Sequence, residues 1–500
     1  MTNPKYFLKR TKTNITGFDE LVHGGLPEGR AVVVSGFAGS GKTLFGIEFL
    51  YRGMVELNEP GLLVTFEETR EDLIKEVAGF GWDLAKLEKE GRLAFVDASR
   101  ATGNQMEVGD YDLGALIARI KRGIQKVGAK RVIIDGIGSL FLRYKNTLMV
   151  RLELLKIIAT LKDSGVTAVI TAERVSDSEP TSRFGVEDFV ADSVIFLYNT
   201  VVGRQRERQI EIVKLRGGSH QTGKYPFLIS DEGLTVFPRE TQGFAEQSST
   251  KRTSTGVTGV DAMLDGGIFR GSTTLLLGQS GTGRTVLGLH FLAEGVRQRE
   301  RGIFFSFEES RAQILTDAKM IGRDFAGAEK RKLLKVIAWQ PEAMPIEAYL
   351  KKIQDIIDEF SPKRVVLDSV TPLSNSVDEQ RFRSFIVSLN TFLKNRQITT
   401  VVNYTSGGTL ESAIAAESDL AVIADNIVVM KFAEIDNKME RVMLIAKSRA
   451  SAHDKEIRHY TINSKGMCIM GYAGSCVEPL PGLIVAKARL TENKKSPSRR

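Results

Sequence analysis

Five hundred residues exceed what one ordinary core holds and leave room for two or three domains. A make-up of 42% hydrophobic and 26% charged residues matches folded soluble proteins and excludes disordered and fibrous classes. The formal charge of +8 gathers at the ends, in Lys5, Lys9, Arg10 and Lys12 and in Lys487, Arg489, Lys494, Lys495, Arg499 and Arg500, which reads as solvated basic tails and not as a dedicated nucleic-acid surface.

Only two cysteines occur, Cys468 and Cys476, and no Cys or His pairs stand at ligand spacing. Disulfide scaffolds and structural zinc are thereby excluded, and a reducing cytoplasm fits best. The opening MTNPKYFLKR lacks the apolar core of a signal peptide, and no run approaches the ~18 apolar residues of a membrane span.

In chain order, the first strand signal is AVVVSG at 31–36, followed by GFAGSGKTLF at 36–45 and a helical pattern over 43–56. The stretch fits G-x-x-x-x-G-K-[ST], with the strand before it and the helix after it that such a phosphate loop requires. Glycines at 36, 39 and 41 allow successive N–H groups to point inward as an anion nest at a helix N-terminus. Gly39, Ser40, Gly41, Lys42, Thr43 and Leu44 therefore form the candidate ATP cradle. Lys42 is placed to reach the β and γ phosphates, and the Thr43 hydroxyl to ligate Mg²⁺.

LLVTFEE at 62–68 reads as a strand closed by Glu67 and Glu68, adjacent carboxylates at the sheet edge where open α/β sheets bind ligands. One of them is a candidate to orient or deprotonate the attacking water while the other shapes its field. Residues 101–111 read as a loop, and 113–128 as an amphipathic helix. RVIID at 131–135 ends in Asp135, a carboxylate positioned beside the phosphate loop to hold the metal through water. TAVITAE at 167–173, a loop at 176–182, and SVIFLY at 193–198 complete the half.

The pattern then repeats. TGFDELVHGGLPEGRAVVVSG at 16–36 matches TGVDAMLDGGIFRGSTTLLLG at 258–278, and VTFEET at 64–69 matches FSFEES at 305–310. RVIIDG at 131–136 matches RVVLDS at 364–369, and KLRG at 214–217 matches KSRA at 447–450. A shift that narrows only slightly along the chain means short deletions within one duplicated fold. The fold expected is two tandem α/β domains of RecA-like P-loop NTPase type with mainly parallel sheets, residues 1–245 and 246–482, then a basic tail at 483–500. A polar linker falls at 241–256. In the second loop, GQSGTGRTVL at 278–287, arginine stands where the first has Lys42. Gly281, Thr282, Gly283, Arg284, Thr285 and Val286 form its cradle, and Glu308 and Glu309 repeat the acidic pair.

Taken together with HGGLP at 23–27, EPGLLVTFEET at 59–69, FGWDLAKL at 80–87, FGVEDFV at 184–190, KLRGGSHQTGKYPF at 214–227, FEESRAQIL at 307–315 and HDKEIR at 453–458, these motifs resemble the KaiC-type proteins, double-domain RecA-like ATPases known from the cyanobacterial circadian clock. The resemblance implies a homohexameric ring of two tiers with ATP between subunits. It implies that Lys214, Leu215, Arg216, Ser219 and His220 close over a neighbour's nucleotide, as do Lys447, Arg449, Ser451 and His453 in the second tier. It also implies Thr285, Glu308 and Asp368 as metal positions in the second half, and a KaiB-like partner on the first tier.

Two positions depart from the clock pattern. Ala421 and Val422 stand where that pattern has an adjacent serine and threonine that accept phosphate, which counts against a serine/threonine autokinase; Ser418 lies one helical turn away. Arg284 is not a conservative replacement for lysine at a phosphate loop. The first half is thus expected to hydrolyse ATP and the second chiefly to hold the ring together, the alternative being that Arg284 stays competent and the second half is an active ATPase without autokinase function. The tail PGLIVAKARLTENKKSPSRR differs from the segment that binds a KaiA-like partner. A recombinase or helicase acting on DNA is a third reading, for which no aromatic stacking loop or added DNA-binding module is visible.

Overall fold

The computed structural model of the protein describes residues 8–98, 113–141, 147–174, 190–202, 205–238, 249–341, 343–406, 418–435 and 437–472. The expected loops at 101–111 and 176–182, residues 184–189, the linker stretch 241–248, the tail 483–500 and the Ser418 side chain lie outside the described residues.

The chain divides into two compact units, Met1–Arg239 and Glu240–Arg500. In the first, a sheet of nine strands runs in the order Gly233–Val236, Lys224–Ser230, Gln205–Leu215, Ser193–Val202, Ala31–Gly36, Thr167–Glu173, Arg131–Asp135, Gly61–Thr65, Leu93–Asp97. The strands from Ser193–Val202 to Leu93–Asp97 are mutually parallel, and the remaining three extend the sheet antiparallel. The second unit repeats this order around Thr273–Gly278. Both are mainly parallel α/β sheets.

Continuous apolar strands are buried on both faces. Ala31 and Val33 enter one core cluster with Ile120, Ile124 and Leu154, while Val32 and Val34 enter the other with Phe45, Phe49 and Met54. The helix Lys42–Leu57 thus covers one face and Leu113–Val127 with Thr147–Asp163 the other. At about 1.5–3 kcal/mol per fully buried large side chain, this two-sided burial is what fixes the sheet.

Each strand that ends in a candidate metal carboxylate begins with a buried arginine. Arg131 donates from Nε to Glu59 (2.6 Å), from Nη1 to the Phe49 carbonyl (2.8 Å) and from Nη2 to the Lys12 carbonyl (2.7 Å). Its guanidinium lies 4.6 Å from the Phe49 ring centroid. Gly53 leaves the space it fills, since a Cβ there would collide with the guanidinium. Arg364 repeats the arrangement with Glu300, the Ser254 and Phe291 carbonyls, and Gly295. The arginine ties the carboxylate-bearing strand to the helix that follows the phosphate loop.

Candidate nucleotide site

The phosphate loop joins the strand Ala31–Gly36 to the helix Lys42–Leu57. Gly39 and Gly41 adopt φ of 72° and 95°, left-handed values that side chains disfavour. Gly36 is different: it stays in the strand, and its lack of a Cβ makes room for the Leu197 carbonyl and the Ser40 hydroxyl. In the second unit Gly281 and Gly283 take φ of 81° and 91°. Ser40 and Thr282 are fully buried under their loops, whereas Leu44 and Val286 pack partly buried against the core.

Thr43 Oγ1 donates to Asp135 at 3.0 Å, and Thr171 Oγ1 donates to the same carboxylate at 2.8 Å. Burial pushes the Asp135 carboxyl up, while these two hydroxyls pull it down. In the second unit burial likewise raises Asp368, opposed by the nearby Thr285 hydroxyl and Asn403 amide. A hydroxyl beside a buried carboxylate at the mouth of an anion nest is a donor set suited to Mg²⁺, which takes one or two protein oxygens and completes its shell with phosphate and water. Among the described residues no cluster of three His, Cys, Asp or Glu is placed to hold a metal by itself.

Lys42 Nζ contacts the Phe37 carbonyl at 3.2 Å at a cavity of about 290 Å³ bounded by Gly39, Thr43, Ile47, Glu76 and Phe80. Burial lowers the Lys42 pKa, opposed by Glu173, Glu67 and Asp135. The acidic pair is held by its turn: Thr65 Oγ1 donates to the Glu68 carbonyl at 2.7 Å, and Ser306 Oγ to that of Glu309 at 2.8 Å. Glu67 is exposed and accepts from Ser139 Oγ at 2.9 Å; its counterpart Glu308 is exposed too. Glu68 is half-buried, and burial followed by the carboxylates of Glu76, Asp135 and Glu67 pushes it up to about 7. Glu309 is pushed up to about 7 by burial, Asp368, Asp317 and Glu308.

Arg284 sits differently from Lys42. It is 8% exposed, and its Nη2 donates to Thr405 Oγ1 at 2.9 Å. Thr405 pairs in register with Gly278 as Glu173 pairs with Gly36, so the residue flanking the loop cation changes together with the cation. Sequence reasoning missed Glu173, Thr405, Glu76 and Thr171. Glu173 closes a strand in the same way as Asp135 does, which was the available signal.

The segment Lys214 to His220 does not meet its own phosphate loop. Lys214 and Leu215 pair with Val194 and Ser193, and Ser193 lies beside Val32, four residues before Gly36. Strand rise puts about 13 Å between the two ends. There Lys214 Nζ donates to the Ala191 carbonyl (2.8 Å), exposed Arg216 donates its backbone N–H to the Asp192 carbonyl (3.1 Å), and Ser219 Oγ meets His23 Nδ1 (3.0 Å); His220 is half-buried nearby.

The second unit has the same layout. Lys447 Nζ donates to the Ala421 and Ala424 carbonyls, each at 2.7 Å, and Arg449 Nη2 to the Val422 carbonyl at 3.3 Å. Ser451 accepts from Arg252, and His453 is half-buried. Ala421 and Val422 lie on the short helix Ser418–Ile423, and their side chains carry no hydroxyl.

The family profile described as KaiC ATPase matches this chain twice, over residues 11–241 and 253–473. The chain belongs to the KaiC ATPase family. It is 43% identical over 459 residues to the circadian clock oscillator protein KaiC of Synechococcus elongatus, covering 92% of this chain and 88% of that protein. KaiC of Picosynechococcus is 42% identical, covering 92% and 90%, and KaiC 1 of Synechocystis is 41% identical, covering 93% and 89%. This KaiC-family chain is therefore an ATPase with two nucleotide-binding repeats. Among its described residues no helix is long and apolar enough to cross a membrane.

Proposed function

We propose that the protein is a Mg²⁺-dependent ATPase working as a cytoplasmic homohexameric ring with a regulatory or timing role, in which the first unit carries the main turnover. The observation that carries this reading is the contrast between the two loop cations: Lys42 lies at a cavity among three carboxylates, while Arg284 is docked on Thr405.

Thr43 and Asp135 would hold the metal, with Thr285 and Asp368 in the second unit; when bound, the ion neutralises charge on the β and γ phosphates. Lys42 draws charge off the transferring phosphoryl group. Glu67 orients the attacking water and Glu68 takes its proton. A carboxyl raised to about 7 accepts a proton only above that pH. Turnover should therefore rise with pH through about 7. The Glu68→Gln variant is expected to be slow at every pH, and a retained inflection in its pH profile would exclude Glu68 as the base.

Because Lys214 and Arg216 stand at the far end of their own sheet, they serve a neighbour's nucleotide in this reading, and each site needs two copies. Chains carrying Lys42→Ala and chains carrying Arg216→Ala are each expected to be nearly inactive. In a randomly mixed ring of equal parts, about one site in four pairs an intact Lys42 with an intact Arg216, so about a quarter of the activity returns. No recovery on mixing would rule out delivery between copies. Native mass measurement with and without ATP, run beside phosphate release, tests assembly and chemistry together; a chain that stays monomeric and ignores ATP contradicts the proposal. A KaiB-like partner on the first tier is part of the same reading.

A further inference from the structure

Away from the phosphate loops, the two units part company at one place. In the first, Tyr51, Trp82 and Phe80 form a stack with ring centroids 5.2 and 5.0 Å apart. The helix starts at Lys42 and Arg284, and the capping residues Asp83 and Asp324, align these positions with Ala293, Arg323 and Ile321. Where three rings fill the first unit, the second has a cavity of about 260 Å³ between the helix Arg284–Arg297 and the turn at 322–325. His290, Arg297, Arg323 and Arg331 line it, with Glu294 and Asp324.

His290 is 3% exposed. Its Nε2 lies 3.0 Å from the Met467 backbone nitrogen and its Nδ1 3.3 Å from Arg323 Nη2. Burial, then the Arg323 charge, lowers its pKa to about 4, so the ring is neutral near pH 7. A neutral imidazole has one lone pair and one N–H, yet both groups facing it are donors. The Met467 amide is fixed in the strand Gly466–Tyr472, pressed so close that a Cβ on Gly466 would collide with Nε2. The lone pair therefore goes to Met467, and Nδ1–H is left facing a guanidinium with no acceptor between them.

Other donors are left over beside it. Arg323 Nε has no hydrogen-bond partner among the described residues, and neither Arg323 nor Arg331 forms an ion pair there. The two lining carboxylates already have partners: Glu294 accepts from Arg297, itself on the cavity wall, at 2.6 Å, and Asp324 caps the Gly327 N–H at 2.8 Å. The first unit leaves nothing over at this position. Glu48 accepts the Leu234 N–H at 2.7 Å and pairs with Arg52 at 2.7 Å.

We propose that this cavity binds a small tetrahedral oxyanion, inorganic phosphate or the phosphate of a monoester, between His290 Nδ1 and Arg323, with Arg331 at the rim. Unpaired guanidinium groups and a convergent N–H are the donors that phosphate oxygens prefer. The site lies on the helix of the second phosphate loop, six residues or about 9 Å along from Arg284, so it is separate from the nucleotide cradle.

Equilibrium dialysis of the full chain against radiolabelled inorganic phosphate, with both loops filled by a non-hydrolysable ATP analogue and magnesium, tests this. Wild type is expected to retain one saturable phosphate per chain beyond the bound analogue. Arg323→Trp, which restores the first unit's residue, should weaken phosphate binding by at least about tenfold, and exposed Arg331→Gln by about threefold. Unchanged analogue binding in each variant reports that the fold is intact. Displacement of the label by AMP assigns the site to a phosphate ester, and its absence to free phosphate. If wild type retains no saturable phosphate, or if both variants retain it as wild type does, the proposal is overturned.

Discussion

Lys42→Ala is expected to lower steady-state phosphate release by about 10²- to 10³-fold, the usual cost of removing one preorganised charge from a phosphoryl or oxyanion site. Arg284→Ala should leave turnover within about twofold, because a guanidinium docked into the wall is replaced where little of the chemistry takes place. The asymmetry follows from what surrounds each cation. Lys42 stands at an open cavity, drawn on by Glu173, Glu67 and Asp135. Arg284 is buried against Thr405, at the position where the first unit has Glu173. What Arg284→Ala should weaken is nucleotide-dependent assembly, visible as dissociation at low ATP by native mass measurement. Retention of most turnover by Lys42→Ala would sink the division of labour, and equal losses from the two variants would make the second unit an active ATPase.

Arg131→Ala carries the largest expected cost in stability, about 3–5 kcal/mol, because it strips a partner from a buried charged network. The side chain is 0% exposed, and its removal leaves the Phe49 and Lys12 carbonyls without their donor and opens a cavity beside Gly53. Glu59→Gln keeps both carbonyl contacts and an amide oxygen facing Arg131 Nε but leaves the 0% exposed guanidinium without its counter-charge, so it should also destabilise the unit, by less than Arg131→Ala does. The chain has two tryptophans, Trp82 in the first unit and Trp339 in the second. Denaturant unfolding followed in Trp82→Phe and Trp339→Phe backgrounds therefore assigns the loss to one unit, which matters because two units need not unfold together. Arg131→Ala should shift the transition seen by Trp82 alone. A shift of under about 1 kcal/mol would mean the arginine is dispensable to the core.

The parallel strands were legible because burial on both faces forces continuous apolar runs. AVVVSG at 31–36 and RVIID at 131–135 appear as read, and the helix expected over 43–56 spans Lys42–Leu57. The antiparallel strand Gln205–Leu215 was not read, because QRERQIEIVKL is largely polar and sends only one face, with Ile210, Ile212 and Leu215, into the core. At the site, local spacing singled out Lys42, Thr43 and Asp135, which the structure brings together at one loop. It could not show that Arg284 meets Thr405, since nothing local links residues 121 apart in sequence. Arg131 and Arg364 head matching strand motifs and look like flanking charge until the helix carbonyls they hold are seen.

One consequence concerns mixed populations. In the proposed ring, a chain whose phosphate loop and whose Lys214 and Arg216 stand about 13 Å apart at opposite sheet ends would give on one side and receive on the other. Doping wild type with Lys42→Ala subunits spoils only the pocket each carries, so the rate should decline in a straight line with their fraction. Subunits carrying both Lys42→Ala and Arg216→Ala spoil a boundary on either flank, and the decline should instead follow the square of the intact fraction.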